Sequence, residues 1–166
     1  MTKLLNFPSE VNDTSARIVA SGAVVMSAGY AITGWAWLLI PLTYGFIARV
    51  AAGPTFSPLA RLATQVITPR LEGPHRIVPG PPKRFAQAIG AIFSASASVL
   101  FLLDLSTASR WVAAALAGPA FLEAAFGFCV GCKMFAGLMR IGVIPESVCV
   151  ECSDISARLR AQGAIQ

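Results

Sequence analysis

A chain of 166 residues suffices for one domain, and 55% hydrophobic against 13% charged residues is about half the charge of an ordinary soluble domain. The net charge of +5 does not signal nucleic-acid binding, because the basic residues flank apolar runs and no nucleic-acid motif accompanies them. Lysine and arginine beside apolar spans are instead what the positive-inside rule predicts.

Residues 1–14 are polar and read as a short flexible arm, with Asp13 or Thr14 placed to cap a first helix and Arg17 at a membrane surface. The arm lacks a basic region, a short apolar core and a small-residue cleavage site, which argues against a cleaved signal peptide. Ile18 to Val50 is 33 residues without a charge before Arg49. One helix of that length would run about 50 Å, past a ~30 Å hydrocarbon core. Thr33-Gly34-Trp35 is therefore read as the turn of a hairpin of two spans, about 16–32 and 35–51, with one long tilted helix as the alternative. Pro41 is expected to kink the second span.

Gly53 to Arg84 is a polar, proline-rich connection. Ser57-Pro58 opens a short amphipathic surface helix with Leu59, Leu62, Ala63, Val66 and Ile67 on one face, closed by Pro69. Gly73 to Pro82 reads as extended loop, and His75 within it as a solvated side chain rather than a ligand or proton carrier. Phe85 to Leu105 forms a third span, anchored by Lys83 and Arg84 and rich in Ala, Gly and Ser that favour close packing, with Asp104 at its far end. Ser106 to Arg110 is a short turn, and Trp111 to about Gly137 a fourth span antiparallel to the third. From Pro145 a tail helix places Val148, Cys152, Ile155 and Leu159 on one face.

The expected fold is all-α, an integral membrane four-helix bundle over residues 15–142, with an amphipathic C-terminal helix over 143–166. Four spans put the N-terminus, the 51–84 connection and the C-terminus on one side, and of the 13 Lys and Arg only Arg110 falls on the other. This asymmetry predicts a multi-pass protein of the cytoplasmic (inner) membrane with both termini cytoplasmic, a compartment where stable structural disulfides are not expected.

The chemistry-bearing residues are two Cys-x-x-Cys pairs, Cys129/Cys132 and Cys149/Cys152, and a carboxylate, Glu123, inside an apolar segment. On a helix each pair shares a face with Cα atoms about 5–5.5 Å apart, within disulfide range. In an unbroken fourth helix, Cys129 and Cys132 would sit near its negative end, with Lys133 offsetting it, whereas Cys149 and Cys152 would open the tail helix. The same four cysteines have the spacing of a tetrahedral zinc site. A continuous helix would hold the two pairs at different levels, and a break at Gly131 or Gly137 would let them meet. A third reading leaves them as inert, buried small hydrophobes. Glu123 is either a proton relay beside the thiols or a protonated side chain bonded to Gln87 or a serine of the third span. No nucleotide-binding glycine loop occurs, and one histidine supports neither a haem or copper cluster nor a serine triad.

Pro82-Lys-Arg-Phe-Ala-Gln-Ala-Ile-Gly90 and Glu123-Ala-Ala-Phe-Gly-Phe-Cys-Val-Gly-Cys132 resemble signature stretches of an uncharacterised bacterial membrane family, domain of unknown function 4395. The resemblance runs from about Asp13 to Cys132, and the tail from Ile144 to Cys152 resembles that of a subset of members. It implies a compact helical membrane domain whose hallmark is the Cys-x-x-Cys. Members often carry Asn where this chain has Glu123, which weakens an obligatory proton relay there. No reaction comes with the resemblance.

The function these residues favour is a membrane thiol–disulfide or sulfur-handling module. Cys129 and Cys132 carry electrons or sulfane sulfur, Cys149 and Cys152 exchange with them, and Glu123 stands by. Its partners would be the lipid bilayer and a thioredoxin-like or sulfurtransferase protein, with self-association open and no cofactor required. The alternatives are a non-enzymatic four-cysteine zinc protein and a small-solute permease built on Glu123 and Gln87, which would need to oligomerise to enclose a path.

Overall fold

The computed structural model describes residues 10–70, 77–145 and 148. The expected tail helix, Cys149, Cys152 and His75 lie outside the described residues. Among the described residues the fold is all-α apart from one two-stranded ribbon, β1 (Glu10–Asn12) paired antiparallel with β2 (Ile77–Pro79). The end of the expected arm is thus a strand, and the expected loop at 73–82 contains its partner. Because each strand leads directly into a long helix, the ribbon starts both helices at the same end of the molecule.

The first of these helices, α1 (Asp13–Thr33), begins where the Asn12 side chain accepts the Thr14 N–H at 2.9 Å. Asn12, not Asp13 or Thr14, is the cap, since the strand holds its backbone extended. The helix ends at Gly34, whose φ of 74° suits glycine, so the Thr33-Gly34-Trp35 hairpin turn is present. A 3₁₀ turn leads into α2 (Leu39–Ala52). Pro41 falls in its first turn, where a missing N–H costs no helical bond, so there is nothing for it to kink.

Ser57 and Pro58 open α3 (Pro58–Leu62), which continues through a π turn to Ile67 and a 3₁₀ turn to Arg70. Ala60 and Ala63 pack on Val19, while Leu62 and Val66 stay exposed. The next helix, α4 (Gly80–Leu102), begins five residues earlier than the sequence pattern suggested, because Pro81 and Pro82 occupy first-turn positions that need no N–H. After a tight turn in which Asp104 takes a φ of 59°, α5 (Ser106–Phe126) starts at once, and the expected turn at Ser106–Arg110 is helical.

α4 packs against α2 and α5, and α1 packs along α5. The core where they meet holds Ala23, Tyr30, Leu42, Phe46, Ala97 and Leu116. A polar knot within it is closed: the Ser109 hydroxyl donates to the Ala97 carbonyl at 2.6 Å, so the Tyr30 hydroxyl donates to Ser109, also at 2.6 Å. α1 and α4 are long and apolar enough to cross a membrane. Their outward residues, such as Val25, Ile32, Ile92 and Leu102, are apolar and exposed.

α1 and α5 clasp each other at both ends. Both are 21 residues long, and in each the fifth residue is an arginine. Arg17 donates to the Ala124 and Ala125 carbonyls at 3.2 and 2.8 Å, and Arg110 donates to those of Ala31 and Ile32 at 2.7 Å each. Each guanidinium satisfies carbonyls that the partner helix leaves open at its C-terminus, where its dipole favours a cation. Replacing either arginine with methionine is expected to cost about 1 kcal/mol. The two losses should add, because the sites are separated by about 21 Å of helix; chemical unfolding in detergent checks both expectations.

Candidate functional site

The fourth span does not run unbroken to Gly137. α5 stops at Phe126 because Gly127 turns into the left-handed region at a φ of 66°, and the Gly127 and Phe128 N–H groups bond back to the Glu123 and Leu122 carbonyls. The chain then starts α6 (Val130–Arg140), bent 98° away from α5. The break is earlier than the two glycines considered from sequence.

This break reverses the electrostatic setting of the first thiol pair. Cys129 is the N-cap of α6, and its sulfur accepts the Cys132 N–H at 3.3 Å. Instead of the negative end of a long helix, it occupies the positive end of a new one, beyond the end of α5, where a thiolate is stabilised. Cys129 is buried and Cys132 partly exposed. α6 is seated by close contacts on α4. A Cβ on Gly131 would lie 2.6 Å from that of Ala86, and the Phe135 ring meets Phe85 at 5.6 Å between centroids.

Beside the thiols lies a buried ion group that no single stretch of sequence displays. The Lys83 ammonium, its side chain 6% exposed, is 2.6 Å from the Glu123 carboxylate and 3.1 Å from that of Asp13. Glu123 therefore pairs with a lysine rather than with Gln87 or a serine of α4. Lys83 also acts electrostatically on both sulfurs. Gln87 is taken by Arg49, which is 5% exposed. Its Nε donates to Gln87 Oε1 at 2.8 Å, and a terminal nitrogen donates to the Ser57 hydroxyl at 3.3 Å. The guanidinium lies 4.6 Å from the centre of the Phe46 ring. Sequence reasoning treated Lys83 and Arg49 as basic residues of the membrane boundary and Asp13 as a cap. The available signal was that each falls at a helix end that the topology gathers at one end of the molecule.

A cavity of about 250 Å³ opens next to this group. Its walls are mostly apolar, from Val19 and Ala23 of α1, Phe46 of α2, Gly90 of α4, Leu116 and Ala120 of α5, and Met134 of α6. Arg49, Gln87, Glu123 and Cys129 supply its polar wall. Among the described residues no group of three or more His, Cys, Asp or Glu is placed to hold a metal ion. The four-thiolate arrangement would also need Cys149 and Cys152, which lie outside them.

A family model described as "Domain of unknown function (DUF4395)" matches residues 11–140. No curated protein and no solved structure matches the chain.

Substituting Lys83 with methionine leaves two carboxylates in a largely desolvated site, and a loss of about 3–5 kcal/mol is expected. Adding Glu123→Gln should recover a substantial part of it, because one uncompensated charge is then removed. Unfolding of the single and double variants in detergent reads the coupling; equal stability of the two would deny the pairing.

Proposed function

Because the chain belongs to the DUF4395 family, whose description names no reaction, we propose from its own geometry that it is a multi-pass membrane protein working as a dithiol–disulfide module at Cys129 and Cys132. The observation that carries the reading is the cap position of Cys129. A Cys-x-x-Cys at the start of a helix gives one sulfur a stabilised anion and the other a reachable position.

α1 and α4 span the bilayer on this reading, with α2 and α5 beside them and α6 along one face. Trp35, Trp37 and Trp111, all exposed, gather at the end opposite the thiols and suit an interfacial belt. Arg17, Arg49, Lys83, Arg84 and Lys133 gather at the thiol end, which supports a cytoplasmic position for it.

In the exchange step, a thiolate of a thioredoxin-like or sulfurtransferase partner attacks the sulfur of Cys132 in the Cys129–Cys132 disulfide. The S–S bond breaks, and its electron pair leaves on Cys129, held by the Cys132 N–H and the nearby Lys83 ammonium. The partner's second thiol then attacks the mixed disulfide and releases Cys132. The partner ends oxidised by two electrons, and the Cys129/Cys132 pair ends as two thiols. Cys149 and Cys152 are proposed to take part from the cytoplasmic side.

Oxidised glutathione should trap a mixed disulfide on Cys132 in the Cys129→Ser variant and react at least tenfold more slowly with Cys132→Ser; mass spectrometry of detergent-purified protein reads both. Equal labelling of the two variants overturns the assignment of roles. One zinc per reduced chain, lost on changing Cys149 and Cys152 to serine, would replace the redox reading with the metal site.

A further inference from the structure

A dithiol that has accepted two electrons must pass them on, and the two cysteines differ in what they border. Cys129 is on the cavity wall, whereas Cys132 is the partly exposed member of the pair. This difference separates two reactions: exchange with a protein at Cys132, and electron delivery into the cavity from Cys129.

The cavity specifies what it takes. At about 250 Å³ it lies below the ~300–1,000 Å³ usual for drug-sized ligands, so it suits one substituted ring. Its mostly apolar lining disfavours a charged, water-borne ligand. The polar groups that reach it favour acceptors. Arg49 carries only donors. Because its Nε occupies Gln87 Oε1, the Gln87 amide nitrogen is left without a protein partner among the described residues. Phe93 and Met134, both on the wall, are partly exposed, so the cavity opens beside helices whose outer faces are apolar. An uncharged ring bearing carbonyl oxygens, arriving from the bilayer, satisfies each of these conditions.

Resting on the dithiol reading, we propose that this cavity binds the head group of a lipid-soluble quinone, which reoxidises Cys129 and Cys132. The Cys129 thiolate adds to a ring carbon, forming a C–S bond. The Cys132 thiolate then attacks the Cys129 sulfur, the S–S bond forms, and the C–S electron pair passes to the ring. The quinone gains two electrons and two protons and leaves as quinol; the two thiols lose the same and become a disulfide. Glu123, on the wall and bonded to Lys83, is the group placed to pass protons. Arg49 and Gln87 orient the carbonyls.

The test uses the full chain in detergent with a decyl-substituted benzoquinone. Reduced protein should consume one quinone per chain, yield quinol by its ultraviolet spectrum and lose two thiols. Gln87→Leu should slow this roughly tenfold, the effect of losing one hydrogen bond of ordinary strength. Binding without chemistry is read in the Cys129→Ser/Cys132→Ser variant, whose thermal midpoint the quinone should raise. Adding Ala120→Phe, which fills the cavity, should abolish that rise. A chain that exchanges with oxidised glutathione but leaves the quinone unreduced overturns the quinone alone, and a chain that does neither overturns the dithiol reading as well. Quinone covalently retained on Cys132 of Cys129→Ser at the wild-type rate marks adventitious arylation and also overturns the proposal.

Discussion

A single ammonium group ties together the parts of this protein that matter. Lys83 sits in the first turn of α4, Asp13 in the first turn of α1 and Glu123 in the last turn of α5, and one buried cluster draws the three helix ends together. Two carboxylates and one ammonium carry a net negative charge at a desolvated place, so the buried guanidinium of Arg49 matters to the balance although it makes no direct ion pair with Glu123. The group fixes the end of α5 just before the chain bends. A lysine 46 residues before Cys129 in the sequence thus holds the end of α5 that leads to it.

The bend itself is local. Gly127 alone takes the left-handed backbone between two apolar stretches, and everything distinctive about the thiol pair follows from it. With α6 turned across α5 and seated on α4 through Gly131 and Phe135, the pair has two faces. Cys129 lines an apolar cavity, and Cys132 is the more exposed of the two. A straight helix would have put both on one side of a bundle and served neither a partner protein nor a ligand from the bilayer.

Much of the helical architecture was legible because apolar runs of this length have few other solutions. The hairpin turn at Gly34 and the small-residue third helix are of this kind. What escaped were features set by one residue or by distant pairs. Phe126-Gly-Phe128 reads as uninterrupted apolar sequence, so the glycine's φ was hidden inside a hydropathy plateau. Pro81 and Pro82 looked like loop and are helix starters, because only the direction of the chain distinguishes a proline that ends a helix from one that begins it. The cysteines and Glu123 were legible as chemistry-bearing residues. Their mutual geometry was not, because Lys83 and Arg49 had been assigned to the membrane boundary by charge alone.

The reciprocal arginines at the two ends of α1 and α5 make the pair a ruler. Neither helix can slide along the other without opening both clasps, and their common length of 21 residues corresponds to about 30 Å, near the depth of a hydrocarbon core. In the proposed bilayer this fixes one hydrophobic thickness for the molecule. Where the membrane is thicker or thinner, the lipid must stretch or thin around the pair, because the helices have no register left to give.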